Sequence, residues 1–213
     1  MKATEALKLY RAAPLATRAF LRTRVLLSDL DFVERHVPDA GDILDLGCGH
    51  GLFANMMALD SRHRHVTGID LSCEKIGHAQ ATVGKRDGIR FLCGDILTAD
   101  LSPCDVITIV DVMYLLPRQE QEEILNICRQ KLKPGGLLVW KAQETSPRWK
   151  YAWTHFQELL ATSIGVTQGK RERLCFLSRR QALEALEGAG FAPSVVEMPT
   201  RRPYTDILYL ARC

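Results

Sequence analysis

The sequence has no apolar run approaching the roughly 18 residues that a bilayer-crossing helix needs. Its apolar stretches, such as Val106 to Val110 and Leu137 to Trp140, are short. Arg11, Arg18, Arg22 and Arg24 interrupt the first apolar stretch, so no secretory signal is expected. There is no C-x-x-C pair. The seven cysteines, at 48, 73, 93, 104, 128, 175 and 213, are odd in number and irregular in spacing, which gives zinc and dithiol redox chemistry no signature. They are expected to be reduced thiols in a cytoplasmic protein. Repeats, low-complexity tracts and linkers are also missing. With 46% hydrophobic and 25% charged residues in 213, disordered, collagenous and coiled-coil classes are excluded. One ordinary domain, or one domain with an elaborated edge, is the expected organisation.

The formal charge of +3 is unevenly spread: residues 1–40 carry +2, 41–140 carry −3 and 141–213 carry +4. The middle of the chain has a regular rhythm. Ile43 to Leu46, His65 to Ile69, Ile89 to Cys93, Asp105 to Val110 and Leu137 to Trp140 read as buried strands. Helical stretches separate them: Leu52 to Leu59, Cys73 to Val83 behind Ser72 as N-cap, and Arg118 to Leu132, stopped by Pro134-Gly135-Gly136. Strands apolar on both faces and joined by helices predict a parallel sheet in an α/β sandwich.

Near the end, Ser178 and Gln181 form a capping-box signature for a helix to about Glu187. Strands at Ser194 to Glu197 and Asp206 to Leu210 follow. The connection between them is too short for a helical crossover, so this pair is expected to be antiparallel. At the other end, one amphipathic helix is expected from Pro14 to about Val33, with Leu15, Leu26, Leu30 and Val33 on its apolar side.

The chemistry-bearing stretch is Asp45-Leu46-Gly47-Cys48-Gly49-His50-Gly51, where a strand runs through a glycine-rich turn into a helix. Such a turn brings backbone close to a ligand and aims helix N–H groups at it. A dinucleotide site is one reading, because Gly49 to Ala54 fits G-x-G-x-x-A and Asp70 follows at the right distance. It leaves Asp45, Gly47, Asp95 and the Leu-Lys-Pro-Gly-Gly segment at 132–136 without a role.

Taken together, the D-x-G-C-G-x-G segment, Gly68-Ile69-Asp70-Leu71, Gly94-Asp95-Ile96, residues 105–117 and Leu132 to Gly136 resemble the ordered motifs of class I S-adenosylmethionine-dependent methyltransferases. The resemblance covers about residues 40–142. It implies a Rossmann-like seven-stranded, mostly parallel sheet with the last strand antiparallel and helices on both faces. An N-terminal helical cap (1–40) would precede the methyltransferase domain (41–213), and an insertion after strand five (143–177) would form a substrate lid.

By the same resemblance, Gly47, Cys48, Gly49 and Gly51 would hold the methionine part of the cofactor and Asp45 its ammonium. Asp70, beside Leu71, would accept from the ribose hydroxyls, and Asp95, with Ile96, would hold the adenine. Asp111 and Met113 would lie near the sulfonium. The reaction implied is in-line displacement, leaving S-adenosylhomocysteine, in which the cofactor carries the reactivity and the protein supplies alignment. A catalytic base is not required by the motif; Tyr114 and His155 are the candidates.

Asp111-Val112-Met113-Tyr114 is not the [DN]-P-P-[YF] signature of amino-group methylases, and Pro103-Cys104 precedes strand four instead of ending it. A small-molecule acceptor, apolar or acyl-type, is therefore expected; nucleic acid is not. The alternatives are an RNA methyltransferase using the basic flanks and a nicotinamide-binding Rossmann protein. No cluster of metal ligands stands out in the sequence.

Overall fold

A computed structural model describes residues 2–143, 174–199 and 206–213. Seven strands form one sheet: β1 (Gly41–Leu46), β2 (Arg64–Asp70), β3 (Ile89–Cys93), β4 (Cys104–Val110), β5 (Leu132–Gln143), β6 (Ala192–Glu197) and β7 (Asp206–Arg212). Their spatial order is 3-2-1-4-5-7-6. Strands β1 to β5 pair in parallel, and β7 runs antiparallel to both β5 and β6. The expected fold class and the antiparallel last strand are both observed.

The described helices are α1 (Lys2–Leu7), α2 (Leu15–Leu27), α3 (Leu30–Glu34), α4 (Leu52–Asp60), α5 (Cys73–Gln80), α6 (Arg118–Lys131) and α7 (Arg179–Gly188). Alternate residues of the central strands feed two cores. On one face Ile43, Val106 and Val139 pack with α1, α3, α4 and α5; on the other Leu44, Ile107, Leu138 and Trp140 pack with α6 and α7. The caps follow the sequence. Ser72 Oγ accepts from the Lys75 N–H at the start of α5, and Ser178 with Gln181 closes the capping box of α7.

Four expectations need correction. The single helix over Pro14 to Val33 is two helices: Ser28 is extended and breaks them, and its hydroxyl donates to Asp111 Oδ2 at 2.9 Å. Leu15 and Leu26 are not on the core side; they are 79% and 71% exposed, while Leu30 and Val33 are buried as expected, together with Thr17 and Leu21. The Pro-Gly-Gly segment is an irregular stretch within β5, whose register with β4 shifts between Cys104 and Val106.

The cysteines, finally, are not all reduced. Cys73 and Cys93 form a disulfide, because parallel pairing sets Asp70 opposite Cys93 and leaves the two cysteine Cα atoms 5.1 Å apart. Spacing along the chain cannot show that register. Cys48, Cys104, Cys128, Cys175 and Cys213 are unpaired.

Candidate cofactor site

The glycine loop joins β1 to α4 at the carboxyl edge of the sheet, where the order reverses between β1 and β4 and a crevice is expected. Gly47, Gly49 and Gly51 all have positive φ, at 70°, 55° and 78°. Two of them are glycine because of their neighbours. A Cβ on Gly47 would lie 2.6 Å from Val112, and one on Gly51 2.6 Å from the Phe91 ring. At Gly49 nothing lies within 4 Å of that direction. The middle glycine therefore faces open space while its two neighbours pack the loop down. Cys48 is buried beneath, its sulfur against the bare Cα of Gly68.

The loop is tied to the end of β2. The N–H groups of Gly47 and Cys48 donate to the Ile69 carbonyl at 2.9 and 3.0 Å. Asp70 Oδ2 accepts from the Gly49 N–H at 2.8 Å and Oδ1 from the Ser72 N–H at 2.9 Å. Each carboxylate oxygen retains a second acceptor direction. Next to it, Leu71 is 64% exposed. Asp95 lies exposed after β3, with Oδ1 accepting from the Leu97 N–H at 3.0 Å, and Ile96 is half-buried beside it. The bond from the Gly94 N–H to the Asp70 carbonyl, at 3.1 Å, brings the second and third strand ends together.

Asp45 is the most telling group. It lies inside β1, opposite Thr108 of β4, whose hydroxyl donates to Oδ1 at 2.7 Å. Its Oδ2 is buried with no hydrogen-bond partner. Burial pushes its carboxyl up to about 7; the Thr108 hydroxyl and the Arg24 charge oppose that rise. Asp45 lines a small cavity with Leu21 and Arg24 of α2, His50 and Phe53. Burial, with Lys75, His78 and Arg24 nearby, holds the His50 imidazole down at about 4, so it is neutral near pH 7.

Asp111, at the end of β4, is the one described non-glycine residue with positive φ, at 58°. Both of its oxygens are engaged: Oδ1 with Lys141, Oδ2 with Ser28, and Arg24 lies 3.7 Å away. Lys141 also pairs with Asp206 at 3.0 Å. Burial resists ionisation of Asp111, but the Lys141 and Arg24 charges outweigh it and hold the carboxyl low. Met113 is buried in the α6–α7 core. Tyr114 is buried too, its ring stacked on Phe176 at 4.8 Å. His155, the lid segment over 144–173 and its aromatic and basic residues lie outside the described residues.

Sequence reading missed Arg24, Thr108 and Lys141, which are far from the motifs along the chain. It also missed Tyr10, whose hydroxyl donates to the His50 carbonyl at 2.6 Å and accepts from Asn55 at 2.9 Å.

The segment that builds this site matches a family model. The family described as "Methyltransferase domain" matches residues 43–136, from β1 to the irregular start of β5. Over those residues the chain is similar to a methyltransferase domain. Ubiquinone biosynthesis O-methyltransferase of Chromobacterium violaceum is 35% identical over 112 residues, covering 50% of this chain and 47% of that protein. Its counterpart in Xylella fastidiosa is 35% identical over 115 residues, with 51% and 45% covered. The chain thus spans about half the length of the curated relatives it matches. Among solved structures, the pyocyanin biosynthetic protein PhzM has a TM-score of 0.73 at 17% identity, covering 96% of this chain and 60% of that one. A methyltransferase from Mesorhizobium loti has a TM-score of 0.67 at 20% identity, covering 86% and 96%. At such identities the structures establish the Rossmann-like fold alone.

Proposed function

We propose that the chain is an S-adenosylmethionine-dependent methyltransferase whose acceptor is a small apolar or acyl-type molecule. The observation that carries this reading is Asp45 Oδ2, a buried carboxylate oxygen without a partner, beside a glycine loop whose middle residue faces open space. A buried acceptor of that kind is costly unless a donor reaches it, and a cationic ammonium supplies both hydrogen bond and charge.

When bound, the cofactor supplies an electrophilic methyl group, and the residues of this chain hold and orient it. Asp45 with Gly47, Cys48, Gly49 and Gly51 takes the methionine end. Asp70 accepts from the ribose hydroxyls with the lone pairs its two main-chain partners leave, and Leu71 and Ile96 border the adenine, with Asp95 accepting from its amino group. Asp111 and Met113 stand at the reacting end, where Lys141 keeps the Asp111 carboxylate fixed. The rate advantage of such alignment can reach roughly 7 to 11 kcal/mol without a base.

The curated relatives are named for O-methylation in ubiquinone biosynthesis, which supports an oxygen acceptor on an apolar small molecule. In this proposal residues 1–40 form a cap, 143–177 cover the acceptor, and the setting is cytoplasmic. The dinucleotide alternative leaves the buried Asp45 without a task.

Calorimetric titration with S-adenosylmethionine, S-adenosylhomocysteine and NAD tests the reading. Binding of the first two, lost in Asp70→Ala and absent for NAD, is expected. Binding of NAD alone overturns it.

A further inference from the structure

The outer side of the N-terminal helices combines a cleft, a group of cations and exposed leucines. A cleft of about 460 Å³ opens between α1, the 3-10 turn Lys8–Tyr10 and α2. Leu7 and the buried Tyr10 line it, and four cations surround it: Lys8, Arg11, Arg18 and Arg22. Lys8 is paired with Glu5 at 2.6 Å. Among the described residues, no carboxylate is within ion-pair distance of Arg11, Arg18 or Arg22. Three guanidinium groups thus share one small surface with no described carboxylate paired to them.

The same surface exposes aliphatic side chains. Leu15 and Leu26 are the two most exposed large apolar residues of the described chain. Positions 15, 22 and 26 fall on one side of a 3.6-residue helix, with 18 at its margin, so these leucines flank the arginines. The opposite side of α2 does the structural work: Thr17 and Leu21 are buried, and Arg24 reaches the Val110 carbonyl at 3.2 Å. The core requires neither Leu15 nor Leu26.

Cations alone would suit any polyanion. Leucines alone would suit any apolar partner. Both on one helix face match a surface that is anionic at the top and apolar just beneath, which is the interface of an anionic lipid layer. We propose that the outer face of α2 and the adjoining cleft dock this protein on an anionic phospholipid surface, phosphate groups entering the cleft beside Arg11, Arg18 and Arg22 while Leu15 and Leu26 enter the acyl boundary. One helix diameter away, α2 presents Leu21 and Arg24 to the cavity at Asp45, and Phe20 packs on His50 at 5.5 Å. Docking therefore sets the candidate cofactor site beside the medium in which an apolar acceptor would dissolve. The docking itself does not depend on the methyltransferase reading, and its test needs no turnover.

The test is co-sedimentation of the full chain with phosphatidylcholine vesicles, with and without about 30% phosphatidylglycerol, at low and high salt. Binding is expected only to the anionic vesicles and is expected to weaken with salt. At roughly a fivefold gain in partitioning per basic side chain at such a surface, Arg18→Gln with Arg22→Gln is expected to lower binding about 25-fold. Leu15→Ser with Leu26→Ser is expected to weaken binding even at low salt. Arg90→Gln, which removes a cation on β3, is expected to change nothing, and thermal unfolding of each variant reports that it is folded. No binding to anionic vesicles, or binding indifferent to the Arg18 and Arg22 changes, overturns the proposal. Stabilisation by inorganic phosphate without vesicle binding also overturns it, and makes the cleft a site for a soluble anion instead.

Discussion

Asp45→Asn separates what the buried carboxylate does for a ligand from what it does to the fold. In the folded chain this carboxyl lies near 7 against an ordinary value of 3.8, with burial as the first cause. The folded state therefore holds the proton more tightly than the unfolded one. The stability contribution of this group is fully present below about pH 4 and is lost as pH rises through about 7. A displacement of that size is worth on the order of 4 kcal/mol. The melting temperature of Asp45→Asn relative to the parent is thus expected to climb between pH 4 and pH 8, since the variant carries no charge to bury.

Cofactor binding should run the other way. An ammonium beside Oδ2 favours the ionised form, so binding at low pH expels a proton. Near a value of about 7, roughly a tenth of the free protein is ionised at pH 6 and nine-tenths at pH 8, so affinity rises about tenfold over that range. His50, held near 4, is neutral throughout. The window belongs to Asp45. The assay is calorimetry with S-adenosylhomocysteine at pH 6, 7 and 8 in buffers of different ionisation enthalpy. Close to one proton is expected to be released at pH 6 and few at pH 8. Asp45→Asn is expected to bind roughly 10- to 100-fold more weakly at pH 8, the worth of a hydrogen bond to a charged group, with no proton release. Parent affinity that is flat with pH, or a variant that binds equally well, refutes the assigned role.

The three glycines of the loop are expected to respond differently to alanine. Gly47→Ala and Gly51→Ala meet Val112 and Phe91 at 2.6 Å and combine overpacking with left-handed strain, so urea unfolding should show a loss of about 2 to 4 kcal/mol. Gly49→Ala, with free space ahead, should lose only the strain of about 1 to 2 kcal/mol while cofactor affinity falls sharply. The Cys73–Cys93 bridge closes a loop of 20-residue separation, so Cys73→Ser is expected to cost up to about 3 kcal/mol. Alkylation of the native protein, read by mass spectrometry, should label the half-buried Cys175 and Cys213 and reach Cys73 and Cys93 only after a reductant is added. Labelling of Cys73 without reductant would show that the bridge is not formed.

The central sheet was legible because its strands are buried on both faces, so Ile43 to Leu46 and Val106 to Val110 are apolar without interruption and mark themselves. The acidic residues at the strand ends were legible for the same reason, being exceptions inside apolar runs. What escaped depends on partners distant in sequence. The helix break at Ser28 answers to Asp111, 83 residues away, and the disulfide answers to the β2–β3 register. Helical periodicity over residues 14–33 assigned Leu15 and Leu26 to the core because it assumed one straight helix. The break changes which side of α2 faces inward. Lys141 sits in an apolar strand, and nothing local marks it as the partner of Asp111 and Asp206.

The N-terminal helices are fastened to the sheet at every turn, and this decides whether they can act as a hinged cover. Tyr10 bonds the glycine loop, Arg24 the end of β4, and Ser28 the side chain of Asp111. The strongest fastening is Arg64 on β2, fully buried, which pairs with Glu34 of α3 and donates to the carbonyls of Val37, Pro38 and Met57. Arg64→Met strips partners from a buried carboxylate and three carbonyls at once, and removal of one member of such a buried pair costs about 3 to 5 kcal/mol. Adding Glu34→Leu should recover little, because the Val37 and Pro38 carbonyls remain unpaired while Lys2 loses the carboxylate it holds at 2.6 Å. Cooperative urea unfolding with a single transition in both variants is expected, the helices melting with the sheet. If Arg64→Met cost less than about 1 kcal/mol, or gave a separate early transition for the N-terminal helices, these helices would be a loosely held cover and not a wall of the site.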